Sequence, residues 1–278
     1  MRSFAPRARA TRGAVNVETS SQLLNLLAAS AVFIALHRLV SGTSIRARIV
    51  VRLSERVFLR AFALASALSL AWLVLAYAAA QSGASDQPLF VVGPTFRLLQ
   101  FPLQLAAVLL VVFGLTTRSP TVAGQGQSVR EPEIVRGALR ITRHPFLWGM
   151  ALLAGGHMSV VADIAGWLFF GTLAFVALSG TVSIDAKRRR VLGAAWTDYA
   201  ARTSNVPFAA ILRGHQPFRP GEIGWWRLLL GISVYLAAVA IHFGHSANAA
   251  PVMRATPALN AASACGACGR DRRRSGSR

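Results

Sequence analysis

Six apolar runs, separated by loops that are alternately basic and nearly uncharged, set the pattern of this chain. Each run predicts a membrane-crossing helix, because about 20 residues at 1.5 Å per residue cover the roughly 30 Å of bilayer hydrocarbon. The runs are Gln22–Val40, Ala61–Ala80, Arg97–Thr117, Pro145–Val161, Ile164–Ser183 and Trp225–His242. Asp163 alone separates the hydrophobic ends of the fourth and fifth, which predicts a tight turn. Between the first two, Ile45, Ile49, Leu53 and Phe58 recur at near-helical spacing, with Arg46, Arg48, Arg52, Arg56 and Arg60 on other faces. That pattern predicts a basic amphipathic helix on an anionic membrane surface. A polar stretch follows run three and ends in a short basic helix expected over Glu133–Ile141. Residues 1–21 are arginine-rich and lack helical periodicity, and residues beyond 246 are small or basic. The expected organisation is a disordered extension over 1–21, a transmembrane domain over 22–246 and a disordered basic tail over 247–278.

Composition agrees with an all-α, polytopic transmembrane bundle. Of 278 residues, 54% are hydrophobic and 14% charged, with a mean hydropathy of +0.47. A soluble domain with so little charge would be poorly soluble. The net charge of +20 does not point to nucleic acid, since the arginines cluster in short loops between apolar runs. The expected partners are instead a bilayer with anionic lipids and a hydrophobic small molecule. The loops after runs one, three and five hold nearly all the near-membrane arginines and Lys187, which places them in the cytoplasm and both termini outside. The arginines of the N-terminal extension conflict with that side. The two cysteines, Cys265 and Cys268, both lie in the tail, where their spacing reads as incidental, and build no disulfide framework. No P-loop, dinucleotide fingerprint or nucleophile elbow is present.

Candidate chemistry concentrates between Ile134 and Asp163. Pro145 suits the first turn of a helix, which puts His144 at the helix mouth, where free amides and the dipole favour a neutral imidazole. Arg143 beside it offers a fixed cation to a carboxylate or phosphate. Gly149 lets a second helix or a flat ligand approach closely. A plainer reading of the same residues is a helix cap with a satisfied histidine. An intramembrane histidine is a functional candidate by default, which adds His37 and His157. Their depths, counted along the runs, pair His37 with His144 or His157 with His242. His215, His242 and His245 read as surface or interfacial side chains. Tyr199, Arg202, Thr203 and Ser204 fit either a headgroup contact or a capped loop.

Taken together, LRITRHPFLWG, the later His157, the stretch DAKRRRVLGAAWTDYAARTSNVPFAAI, EIGWW and a late histidine resemble the NnrU family, with likeness over about residues 23–251. That family is linked to bacterial nitrite and nitric oxide metabolism (denitrification) and includes the zeta-carotene isomerase. The resemblance implies a bacterial inner-membrane protein that binds haem through axial histidines, with haem-dependent cis-trans isomerisation as the enzymatic expectation. It favours His37 and His157 as the iron ligands, with Arg143 and His144 on the propionate or substrate side. Ala154 stands near the position where the isomerase branch has a cysteine, so thiolate ligation is not expected. RHP with a glycine four residues on also resembles the membrane methyltransferases of isoprenylcysteine and phospholipids, in which the arginine would bind the carboxylate of S-adenosylmethionine. A third reading is a non-catalytic membrane assembly factor.

Overall fold

A computed structural model of the chain describes residues 7–40, 44–82 and 88–244. Among these residues the regular structure is entirely helical. Ten α-helices run as α1 (Arg7–Ala35), α2 (Ser44–Leu53), α3 (Glu55–Ser82), α4 (Pro94–Thr116) and α5 (Ala138–Ile141), then α6 (Pro145–Met158), α7 (Ile164–Leu192), α8 (Ala194–Arg202), α9 (Ala209–Leu212) and α10 (Trp225–Gly244). Five helical stretches are long and apolar enough to cross a membrane: Ser20–Leu39, Glu55–Gln81, Pro94–Thr116, Ile164–Leu192 and Trp225–Gly244. They expose large apolar side chains such as Leu64, Leu75 and Leu115, as lipid-facing surfaces do. The chain is an integral membrane protein. The described residues divide into two compact units, residues 7–232 and residues 233–244. In the second unit the described part is the end of α10, with exposed Val234, Leu236 and Phe243.

The sequence places most helices within a few residues, with three differences. Helix α1 begins at Arg7, ahead of the expected start at Gln22, although its spanning part is Ser20–Leu39. The tail over 247–278, with Cys265 and Cys268, lies outside the described residues. The fourth run is a helix of only 14 residues, about 21 Å, too short to span hydrocarbon alone. It ends at Met158 because the chain turns back through Ser159–Asp163, where Asp163 caps α7 by accepting from the Gly166 amide at 2.7 Å. Thus α6 is an inner helix between α4 and α7. The helix expected over Glu133–Ile141 shrinks to Ala138–Ile141. Gly137 sits at φ +56° and its amide donates to Glu222 Oε2 at 3.0 Å, so the backbone leaves the helical region there.

The apolar core joins α1, α3, α6 and α7 through Leu26, Ala29, Phe33, Leu73, Ala154 and Phe170. The α4–α6 seam is set by glycines. A Cβ on Gly149 would stand 2.7 Å from the Val111 nitrogen and 2.8 Å from the Ala107 carbonyl oxygen, and one on Gly114 would strike the Phe146 backbone. The neighbour that Gly149 admits is therefore helix α4. A second cluster, Val129, Ile134, Val135, Leu139, Trp196 and Tyr199, packs the loops on the arginine-rich end. At the other end the Leu89 amide donates to Ala162 at 2.7 Å, joining the segment before α4 to the turn after α6.

Candidate functional site

The two sequence elements that carry the resemblance, RHP and TSNVPF, lie together. The Arg143 amide donates to the Ser204 carbonyl at 2.9 Å and the Phe208 amide to the Ile141 carbonyl at 2.8 Å. Phe208 adopts the left-handed region, φ +64°, an uncommon conformation for a side chain of its size that these contacts hold. Asp185, from the last third of α7, is the centre of the cluster. Its Oδ1 lies 2.7 Å from His144 Nε2, and its Oδ2 accepts from Arg143 Nε and Nη2, both at 2.9 Å. Arg143 also donates to the Thr203 carbonyl at 3.0 Å and the Ala200 carbonyl at 3.4 Å. Asn205 reaches Asp185 at 3.4 Å and accepts from Trp148 Nε1 at 3.2 Å.

His144 is the N-cap residue of α6, as the proline predicts, and is only 2% exposed. Burial pushes its pKa below the ordinary histidine value, and the Arg143 cation adds to this, against the opposing pull of Asp185. A carboxylate only accepts, so the neutral imidazole carries its proton on Nε2. That leaves Nδ1 as an acceptor, buried and without a hydrogen-bond partner. The Tyr199 hydroxyl and Trp196 Nε1 nearby are likewise buried without one. Burial raises the Tyr199 pKa, so its phenol stays protonated.

The other two histidines lie within the helix bundle. His37 sits in a π-helical turn, Leu36–Val40, that continues α1. Its Nδ1 donates to the Phe33 carbonyl at 2.8 Å, and its ring lies 4.3 Å from that of Phe33 and 5.7 Å from that of Phe62. His157 Nδ1 donates to the Leu153 carbonyl at 2.8 Å, and its ring stacks on Phe170 at 4.5 Å and 14°. A carbonyl oxygen only accepts, so both rings carry their proton on Nδ1 and keep the Nε2 lone pair. This is the form in which histidine ligates a metal, with the other nitrogen held by a backbone carbonyl. Each ring by itself therefore has the form of a metal-ligating histidine. Phe33 and Phe170 belong to one core cluster. Along α7, Arg38 reaches the Ser179 carbonyl at 3.2 Å while His157 stacks on Phe170, a difference of nine residues or about 13 Å in depth. Among the described residues, no group of three or more His, Cys, Asp or Glu side chains could hold a metal ion.

Of the remaining candidates, His215 is exposed. His242, in the second unit, meets Phe243 edge-on at 5.9 Å. Thr203 and Ser204 are buried in the RHP cluster, where the Ser204 hydroxyl accepts from the Ala210 amide at 3.0 Å, so the capped-loop reading describes them. His245 lies outside the described residues. Sequence reasoning missed two glutamines. Gln100 Nε2 donates to Ser159 Oγ at 2.8 Å, and Gln104 Nε2 donates to Leu153 at 3.2 Å and lies 3.2 Å from His157 Nδ1. Two amides four residues apart on an otherwise apolar helix were the available signal.

Comparison with known proteins gives one finding: a family model described as NnrU protein matches residues 25–247. No curated protein and no solved structure matches the chain.

Proposed function

The chain belongs to the NnrU family, and from that premise we propose that it binds haem inside its helix bundle, with His157 and His37 as the candidate iron ligands. One iron joins the two only if the roughly 13 Å between their depths closes when haem binds. The observation that carries this reading is the shared state of those two rings, each donating Nδ1–H to the carbonyl four residues earlier and presenting Nε2. Haem held there would supply an iron centre able to polarise a substrate or exchange electrons with it. Phe170 stacks against one face of the His157 ring, and the Leu153 carbonyl holds its Nδ1–H. Ala154, Met158 and the stacked Phe170 belong to the apolar core. A substrate reaching them through lipid would be uncharged, as a polyene is and as the nitrite ion is not.

In this reading His144 lies toward the substrate side, while Arg143, bound to Asp185, Ala200 and Thr203, positions His144 through their shared carboxylate rather than reaching a propionate. Their internal hydrogen bonds leave His144 Nδ1 as the atom able to receive a further donor. The same geometry weighs against methyl transfer, because Arg143 is already occupied by Asp185, Ala200 and Thr203 and is not open to a cofactor carboxylate. The three arginine-rich loops face the cytoplasm in the proposed arrangement.

The test is the visible spectrum of the detergent-purified protein, oxidised and reduced. The wild type is expected to carry a low-spin haem spectrum. His157→Ala should remove haem, His37→Ala should convert the spectrum to a five-coordinate form, and His242→Ala should change neither. A colourless wild type from haem-replete cells, or His157→Ala with an unchanged spectrum, would overturn the proposal.

A further inference from the structure

A cavity of about 1090 Å³ opens on the arginine-rich end, between the loop after α4 and the segment before α10. Its wall holds six arginines against three glutamates. Two of the glutamates are already engaged. Glu131 pairs with Arg118 at 2.8 Å, and Glu222 pairs with Arg140 at 2.7 Å and Arg219 at 3.6 Å. The Arg140 hydrogen bond, with the Gly137 amide, holds the Glu222 pKa at about 2, so its charge is fixed and spent on that pair.

Three cations remain on the wall: Arg136, Arg202 and Arg227. Arg227 is held rigidly, but only by neutral oxygens. It donates to the Ile223 carbonyl at 2.8 Å, Thr116 Oγ1 at 3.2 Å and the Thr116 carbonyl at 3.3 Å, and lies 4.6 Å over the Trp226 ring. None of these contacts neutralises its charge. Arg136 and Arg202 are exposed and have no carboxylate partner among the described residues. Against these three the wall offers one further carboxylate, Glu133. Several guanidinium groups lining one cavity with an excess of positive charge are the recognition chemistry of phosphate, whose oxygens match the arginine fork. The volume exceeds what an inorganic ion needs and suits a headgroup or a nucleotide-sized molecule.

We propose that this cavity binds a phosphate-bearing ligand, contacted by Arg136, Arg202 and Arg227. The site is separate from the histidines of the bundle, and the proposal stands whether or not haem is bound. The ligand is either a soluble phosphorylated molecule or the headgroup of an anionic lipid.

The test uses the full chain in nanodiscs of phosphatidylcholine, titrated with inorganic pyrophosphate by calorimetry. Saturable binding is expected, weakened at least about tenfold in the double variant Arg136→Gln/Arg202→Gln and unchanged in Arg48→Gln/Arg52→Gln, which removes surface charge elsewhere. Nanodiscs containing phosphatidylglycerol separate the sources. If the ligand is soluble, pyrophosphate binds there as before. If it is a lipid headgroup, phosphatidylglycerol suppresses pyrophosphate binding, and native mass spectrometry shows a retained lipid that the Arg136/Arg202 double variant loses. Absence of both pyrophosphate binding and lipid retention, or binding equal in the two double variants, overturns the proposal.

Discussion

At His144 the proton sits on Nε2, facing the Asp185 carboxylate at 2.7 Å, and burial holds the ring neutral. The folded-state pKa is below the ordinary value near 6.5, so the unfolded chain binds more protons than the fold just below that pH. The stability contributed by the neutral ring is complete above about 6.5 and declines as pH falls toward the folded pKa. We expect the thermal midpoint of the detergent-solubilised protein to fall on acidification below about pH 6.5. His144→Gln should be less stable at neutral pH, because Asp185 loses its ring partner, but should lack that part of the slope. Equal acid slopes in the two proteins would contradict a neutral buried ring. His144 and Arg143 were legible as candidates because the proline marks a helix start. Asp185 was visible only as one of several acids, since nothing local ties it to a histidine 41 positions earlier.

Between elements, the α4–α6 seam shows how a glycine becomes a packing decision. On Gly149 a Cβ would meet backbone atoms of α4 at 2.7 and 2.8 Å, and backbone cannot swing aside. Gly155, on the same helix, has nothing within 4 Å of the corresponding position. Gly149→Ala should therefore destabilise by about 1–3 kcal/mol through overpacking. Gly155→Ala should be neutral or stabilise by up to about 1 kcal/mol through helix propensity. Both are measurable as shifts in denaturant-induced unfolding in a fixed detergent, and an equal response of the two variants would contradict the seam described here. The sequence showed the glycine and the open space it makes. It left open whether a helix or a ligand fills that space, because spacing along one helix carries no information about its neighbour.

Across the whole molecule, the hydrogen bonds gather the loops after α4 and α7 at one end: Arg188 reaches the Val122 carbonyl at 2.7 Å and Arg143 the Thr203 carbonyl at 3.0 Å. The segment before α4 and the turn after α6 meet at the other end. In cells, single cysteines at Ala123 and Arg213, in a background lacking Cys265 and Cys268, should resist an impermeant thiol reagent. One at Val91, an exposed position in the segment before α4, should react. The reverse pattern would invert the proposed orientation. The placement of the five long helices came from the sequence by itself, because a bilayer demands continuous apolar runs and internally bonded backbone, and both demands are local. So did the candidacy of His37, His144 and His157, since polar side chains on apolar runs stand out against their surroundings. Only the tertiary structure decided that α6 is a short inner helix and that Gln100 and Gln104 serve the surface carrying His157. It also decided that RHP, Asp185 and TSNVPF form one hydrogen-bonded cluster, and that six arginines from distant segments share a cavity. Those facts depend on which helices become neighbours, and that is set by side-chain packing between segments far apart in the chain.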